Sequence, residues 1–387
     1  MGNEKLKRKD FFKSFAPITA PGNVPPGDDP LFDKYARKTL GPRNFTQRIE
    51  TPIPGAPEPD RIGNITSGLN PYAGAWTQWQ VAHLLRRIGF GIKKTDMDLY
   101  LGMTMSNAVD ALLTITAPAN PSPTALNYYQ NTLADSGGIL LGGSWTGNNL
   151  TYVNTNDGTN NSYRQNSLVD WSWGLCLNEN TSIREKMVLF WYHFIPINFD
   201  DVRSLQNNSA TMCNDYMSLL RNNSLGNFKT LIKAIAKTPG MLVFLGNQYS
   251  TASVPNENFA RELMELFTLG KVPTQNYTEP DVIAASKVLS GWRVPSFTVA
   301  YPFAPGFNAT YHNQTSKVFS AFFGNTVIAN QAGAAGANEF DIFFDMLFAQ
   351  QQLTIAKYVC RRLYRFFVYY DIDANIEANV IVPLASV

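Results

Sequence analysis

Residues 255–270 constrain the fold more than any other part of the chain. This segment carries three carboxylates, one guanidinium and two carboxamides, and it also places Phe259, Leu263, Leu266 and Phe267 at helix spacing. A helix with such an apolar stripe has to pack against a core, because burial of the stripe supplies most of its stability. The segment therefore predicts a packed helix whose polar residues stand close to a hydrophobic core.

The same helical spacing recurs along most of the chain after residue 75, with apolar side chains three and four residues apart. The pattern predicts helices at 76–88, 106–115, 165–177, 182–194, 209–222, 228–237, 256–269, 278–290, 338–349 and 352–370. Ser182 and Glu185 have the spacing of a capping box. Thr278 is predicted to cap another helix, with Pro280 in its first turn. The predicted fold class is mainly α, a multi-helix globular domain.

Three stretches lack this periodicity. Residues 1–75 are rich in proline and glycine, which predicts an extended, partly disordered arm ahead of a helical domain at 76–387. Within that domain, 117–165 and 293–325 are predicted to be long irregular loops. Insertions of this length are more often functional than simple connectors.

Composition excludes several classes of protein. The 387 residues are 44% hydrophobic and 16% charged, which is typical of a folded globular chain. A formal net charge of +2 gives no reason to expect a nucleic-acid partner. No apolar run is long enough to span a bilayer, and the basic residues at 5–13 are not followed by the apolar region of a complete signal peptide.

The carboxylates of 255–270 are the first candidates for catalysis. On a helical wheel Glu262 falls between Leu266 and Leu269, at the edge of the apolar stripe, where a carboxylate requires a cation, a metal or several hydrogen-bond donors. One interpretation is an internal ion pair, and the other is an acid/base group or metal ligand. The candidate catalytic residues are Glu262, Glu265 and His193, because an imidazole beside two carboxylates suits either chemistry.

The other polar residues of the helical segments predict a structural polar cluster that stabilises the core. Its members are His83, Arg86, Arg184, Glu185, Asn256, Glu257, Asn258 and Arg261. The chain has no HExxH motif and no pair of histidines four residues apart, so no metal site is predicted and the cofactor is left undetermined.

Several of these stretches resemble one protein family. Residues 82–91, 184–191, 224–228, 255–270, 277–282 and 289–292 resemble segments of the domain-of-unknown-function family 1800, over about 72–387. Residues 360–370 resemble a late segment of its Bacteroidetes-type members. The resemblance implies no established activity, a periplasmic or extracellular location, and a sulfatase-like protein, commonly encoded nearby, as a partner.

The chain departs from the family pattern at two places. Similar proteins have two histidines in a Phe-Trp-His-x-His-Phe segment, whereas residues 190–194 read Phe-Trp-Tyr-His-Phe and retain His193 alone. Similar proteins also continue beyond Val387, so a truncated C-terminus is expected. Two functions remain open: an exported binding or assembly protein that partners the sulfatase-like protein, or an exported hydrolase, metal-dependent or not, that uses the Glu/His cluster.

Overall fold

A computed structural model describes residues 68–116, 118–127, 138–147, 156–178, 182–205, 208–271, 276–294 and 304–387. Of the predicted arm at 1–75, only 68–75 falls within these ranges. The described chain is mainly helical, as predicted. The helices are α1 Gln78–Ile88, α2 Lys94–Leu101, α3 Met105–Leu113, α4 Asn156–Asn178, α5 Arg184–Phe194, α6 Phe199–Leu205, α7 Ser209–Asn222, α8 Phe228–Ala236, α9 Pro239–Phe244, α10 Glu257–Glu262, α11 Glu279–Val288, α12 Asn338–Phe367, α13 Ala374–Ile376 and α14 Val382–Ala385.

Local capping sets where several helices begin. Thr77 caps α1 in a capping box with Gln80, and Thr278 caps α11 in the same way with Asp281. At α8 the side chain of Asn227 accepts a hydrogen bond from the Thr230 amide. These side chains satisfy amide groups that the first helical turn leaves without a partner.

The predicted capping box at Ser182 and Glu185 does not start α5. The N-cap is Ile183, one residue later, and Ser182 Oγ accepts a hydrogen bond from the Arg184 amide at 3.3 Å. The Glu185 carboxylate is buried and pairs with Arg221 of α7. A tertiary ion pair has replaced the local contact that the spacing favours.

Helix α4 begins nine residues before the predicted start at 165, so the end of the predicted 117–165 loop is helical. Its inward face is polar, with Asn160, Asn161, Arg164 and Gln165 all buried. Asn161 Oδ1 accepts from the Ala210 amide at 2.8 Å, and Gln165 Nε2 donates to the Phe199 carbonyl at 3.2 Å. An apolar periodicity cannot reveal a helix whose buried contacts are hydrogen bonds.

An aromatic cluster joins the middle of the helical domain. Trp191 of α5 stacks on Phe228 of α8 with ring centroids 5.6 Å apart, and Phe190 meets Phe366 of α12 edge to face at 5.4 Å. Helix α5 thus buries aromatic residues on several sides, as its all-round apolar sequence predicts.

Short paired strands lie within and at both ends of the predicted irregular loop at 293–325, among its described residues. β1 Trp292–Arg293 pairs antiparallel with β2 Gly306–Phe307, and β3 Lys317–Val318 pairs antiparallel with β4 Val327–Ile328. Two-residue strands are too short for an alternating pattern to show in sequence.

The two helices predicted at 338–349 and 352–370 form one long helix, α12, with a break at Gln351 (φ −126°, ψ 24°). The Gln351 side chain donates to the Phe322 carbonyl, which attaches the break to the 3₁₀ turn Ala321–Phe323 between β3 and β4. Beyond α12 a π-helical stretch, Glu377–Ile381, continues from α13 into α14.

Candidate functional site

Helix α10 carries the polar segment and starts at a well-formed cap. The Asn256 side-chain oxygen accepts from the Asn258 amide at 2.9 Å and the Phe259 amide at 3.4 Å. The side-chain nitrogen Nδ2 of Asn256 donates to the Leu245 carbonyl at 2.9 Å. Asn256 is therefore used for capping and for attaching α10 to the end of α9.

After Glu262 the helix widens into a π-helix, Leu263–Thr268. The wider turn changes which side chains face the core: Met264 and Thr268 are fully buried, whereas Leu266, predicted to lie in the apolar stripe, is only half-buried. A wheel drawn at 100° per residue does not apply here, since π-helical turns hold more residues than α-helical turns. Such turns occur frequently at functional sites.

Arg261, Glu257 and Glu265 of this segment form ion pairs within the fold. Arg261 makes a forked contact with Glu279 of α11, at 2.8 and 2.7 Å, and lies 3.9 Å from Glu257. Lys271 Nζ lies 2.8 Å from Glu265 Oε1. The hydrogen bonds from Arg261 lower the pKa of Glu279, so this carboxylate stays ionised.

Glu262 is half-buried, and its Oε2 atom is enclosed. Burial raises the pKa of the nearby Tyr277 phenol, and the negative charges of Glu265 and Glu262 raise it further. The two candidate carboxylates and Tyr277 therefore share one region, and the phenol there remains a hydrogen-bond donor at neutral pH.

His193 lies on the exposed side of α5. Partial burial lowers the pKa of its imidazole, and the positive charge of Arg362 lowers it further. Arg362 donates to Tyr358 Oη at 3.1 Å, and Tyr358 donates to the Leu266 carbonyl at 2.9 Å. Arg362 and Tyr358 thus connect His193 to the π-helical turn. The charge that acts on His193 is the positive charge of Arg362.

The predicted polar cluster separates into several places among the described residues. Arg184 donates to the Pro118 carbonyl at 2.7 Å, and Glu185 Oε1 lies 3.2 Å from Arg221 Nε in a buried pair. His83 and Arg86 are exposed on α1, and His83 lines a groove to which α10 contributes no residue. The residues that share a region with Arg261 are those of α10 and α11.

That groove on α1 holds about 500 Å³ and is lined by Tyr72, Trp76, Trp79, Gln80, His83, Leu84, Met105 and Val109. It is open to solvent, since Trp79 is 77% exposed. The local sequence of α1 gives no indication that Met105 and Val109 of α3 complete the groove. Helices α1 and α3 and the segment just before α1, which come together only in the tertiary structure, form this groove.

His312, Lys317 and Glu339 form a second polar cluster, which the sequence analysis did not predict. Glu339 Oε2 lies 3.2 Å from His312 Nε2 and accepts a hydrogen bond from Lys317, and all three side chains are fully buried. His312 Nδ1 lies 3.0 Å from the Ser290 carbonyl, and Lys317 Nζ donates to the Asn313 carbonyl at 2.7 Å. Burial lowers the pKa of Lys317, and the contact with Glu339 opposes that effect.

Asp281 is another fully buried carboxylate that holds the chain together. It accepts hydrogen bonds from the amide and hydroxyl of Thr278, both at 2.8 Å, and from those of Ser320, at 2.7 and 2.9 Å. Only its role in the α11 cap is visible in sequence. The contact with Ser320 attaches α11 to the segment that follows β3.

Within the described ranges, no group of three or more His, Cys, Asp or Glu side chains is arranged to hold a metal ion. In the same part of the chain, the helices are too short or too polar to cross a bilayer. The candidate region at α10 contains the carboxylates of Glu262 and Glu265, the phenol of Tyr277, and two cations that form ion pairs, Arg261 and Lys271.

Comparison with known proteins yields one match. A family model described as a protein of unknown function (DUF1800) matches residues 83–387. No curated protein and no solved structure matches the chain. Because the match covers most of the chain, this protein belongs to the DUF1800 family of proteins of unknown function.

Proposed function

We propose that this chain is an exported, non-catalytic binding or assembly protein of a Bacteroidetes-type bacterium, and that its partner is the sulfatase-like protein associated with the family. The observation that carries the proposal is the forked contact of Arg261 with Glu279 at 2.8 and 2.7 Å. It lies in the segment that carries the candidate carboxylates Glu262 and Glu265, and it joins helices α10 and α11.

The other charged residues of the family-like segments support the same interpretation. Glu185 is paired with Arg221, and Glu265 with Lys271. A general acid or base has to make a hydrogen bond to a bound substrate, whereas these carboxylate oxygens already contact a cation of the protein itself. In this proposal the partly exposed pairs of Arg261 with Glu279 and of Lys271 with Glu265 stabilise a surface that another protein recognises, and the buried pair of Glu185 with Arg221 stabilises the interior.

Direct binding tests the proposal. Purified full-length chain and the purified sulfatase-like protein encoded beside it should form a complex that elutes together in size-exclusion chromatography and gives a saturable calorimetric titration. An unrelated sulfatase is the control and should not bind. Absence of a complex with the neighbouring protein contradicts the proposal.

A second measurement distinguishes the hydrolase. Chromogenic esters, phosphates, sulfates and glycosides should not be turned over by the chain above the rate of a heat-denatured sample. Turnover that is lost in Glu262→Gln or Glu265→Gln, with an unchanged melting temperature, would establish the hydrolase and overturn the non-catalytic proposal. Gln keeps the size of the side chain, so the comparison isolates its charge.

A further inference from the structure

We infer that the groove between α1 and α3 is a binding site for a neutral saccharide. The groove holds about 500 Å³, which is within the range of sites that take small ligands. Its lining includes three aromatic side chains, Tyr72, Trp76 and Trp79, and one imidazole, His83. The site is separate from α10 and goes beyond the proposed partner interaction.

Two of the aromatic side chains that line the groove are largely exposed to solvent. Trp79 is 77% exposed on the side of α1 opposite to its buried residues Val81 and Leu85, and Tyr72, in the segment before α1, is 53% exposed. Neighbouring exposed aromatic side chains around a concave surface mark a place where a ligand or partner binds. Trp79 and His83 are four residues apart on α1, so their side chains stand next to each other along one edge of the groove.

Part of this surface is held rigidly before any ligand arrives. Trp76 Nε1 donates to the Tyr100 carbonyl at 3.1 Å, which fixes the orientation of its ring. Gln80 Oε1 accepts from the Thr77 amide at 3.2 Å as part of the capping box of α1. Fixed side chains lose little conformational freedom on binding, which favours affinity.

The chemistry of the lining selects the class of ligand. The eight lining residues include no carboxylate, lysine or arginine, so the lining offers no permanently charged side chain to a charged ligand. Arg86 and Arg87 are exposed in the last turn of α1, beyond His83, and their charges disfavour an organic cation in the aromatic groove.

A pyranose fits these requirements. One face of a sugar ring presents C–H groups that pack on the electron-rich face of an indole or phenol ring, while its hydroxyl groups form hydrogen bonds around the edge. Trp79 and Tyr72 supply such faces, and His83 supplies a ring nitrogen that donates or accepts. An open groove of this kind accommodates a short oligosaccharide lying across it.

The test uses the purified full-length chain and neutral oligosaccharides in isothermal calorimetry. The probes are maltotetraose, cellotetraose, xylotetraose, mannotetraose and tri-N-acetylchitotriose. At least one should bind saturably, and Trp79→Ala should weaken that binding by about tenfold or more, or about 1.4 kcal/mol. His83→Ala should also weaken it, through loss of a hydrogen bond at the edge of the groove.

A matched control separates the groove from a general effect of removing a tryptophan. Trp173 of α4 is 56% exposed and does not line the groove, so Trp173→Ala should leave saccharide binding unchanged. Both substitutions replace exposed side chains, and equal melting temperatures should confirm that both variants are folded.

Three outcomes overturn the inference. They are failure of every saccharide to bind the wild-type chain, equal loss of binding in Trp79→Ala and Trp173→Ala, and binding of tetramethylammonium or a tetraproline peptide in place of any saccharide. No partner protein is present in these titrations. Their failure would therefore leave the proposed partner interaction standing, and failure of that interaction would leave the saccharide site standing.

Discussion

At the scale of single residues, the protein relies on buried ion pairs between distant parts of the chain. Arg221 pairs with Glu185, donates to Ser172 Oγ at 3.2 Å and lies over the Trp171 ring at 4.7 Å. A pair of this kind becomes strongly unfavourable when one partner is removed, because the other charge remains buried without compensation.

Substitution of Glu185 tests this dependence. Glu185→Gln should lower the free energy of unfolding by about 3–5 kcal/mol, since Arg221 would keep its charge in a buried place. Urea denaturation followed by circular dichroism measures the change. Asp98→Asn is the control, because the Lys94–Asp98 pair of α2 is exposed and should contribute about 0.5 kcal/mol or less. Similar losses in both variants would contradict the assigned role of Glu185.

At the scale of secondary-structure elements, tertiary hydrogen bonds determine the course of the helix after Glu262, which apolar spacing describes poorly. The π-helical turn after Glu262 places Met264 and Thr268 in the core, and Thr268 Oγ1 donates to the Leu263 carbonyl at 2.7 Å. Gly270 ends this turn at φ +76°, and a Cβ there would lie 2.7 Å from the Tyr358 ring. The same phenol donates to the Leu266 carbonyl, so the end of the π-helix and α12 are fitted to each other.

Two substitutions test which side chains of the π-helix face the core. Met264→Ala should cost about 2–5 kcal/mol of unfolding free energy, because Met264 is fully buried. Leu266→Ala should cost clearly less, since Leu266 is half-buried. Urea denaturation of both variants under the same conditions gives the comparison. A larger loss for Leu266→Ala would indicate that the segment continues as a regular α-helix.

At the scale of the whole molecule, the last helices are attached to the body through α12. Arg361 contacts Glu377 through two guanidinium nitrogens, one of them at 2.9 Å, and Ile376 and Ile381 are buried beside them. The hydrogen bonds from Arg361 lower the pKa of Glu377, while burial opposes this change. The attachment of residues 374–385 therefore depends on an ionised carboxylate.

This dependence predicts an effect of acid. Because the pKa of Glu377 is lower in the folded protein than its ordinary value of 4.5, its contribution to stability is present above about pH 4.5 and is lost as pH falls through the folded pKa. Hydrogen exchange of 374–385 should therefore be faster near pH 3 than near pH 6, after correction for the intrinsic rate.

The control for this effect is Glu377→Gln, which carries no titrating group at that position. Its protection of 374–385 should be lower than that of the wild-type chain near pH 6 and should change less between the two pH values. An equal change with pH in both proteins would contradict the role of Glu377.

The candidate site was predictable in part. The apolar spacing at 255–270 indicated a packed helix, but the contact of Arg261 with Glu279 joins residues 18 positions apart and has no local signal. The chain offers no local signal for Lys317 beside Glu339, because the two residues lie in separate segments and meet only after the fold has formed. The groove at His83 was missed for the same reason.

The sequence by itself determined the mainly helical fold, the capped starts of α1, α8 and α11, and the aromatic character of α5, because these depend on contacts between residues three or four positions apart. Only the tertiary structure decided the polar inward face of α4, the π-helical turn at 263–268, the pairing of Glu185 with Arg221 and the groove between α1 and α3. Each of these balances a local preference against burial and hydrogen bonding with a distant segment, and a distant partner is not visible in local spacing.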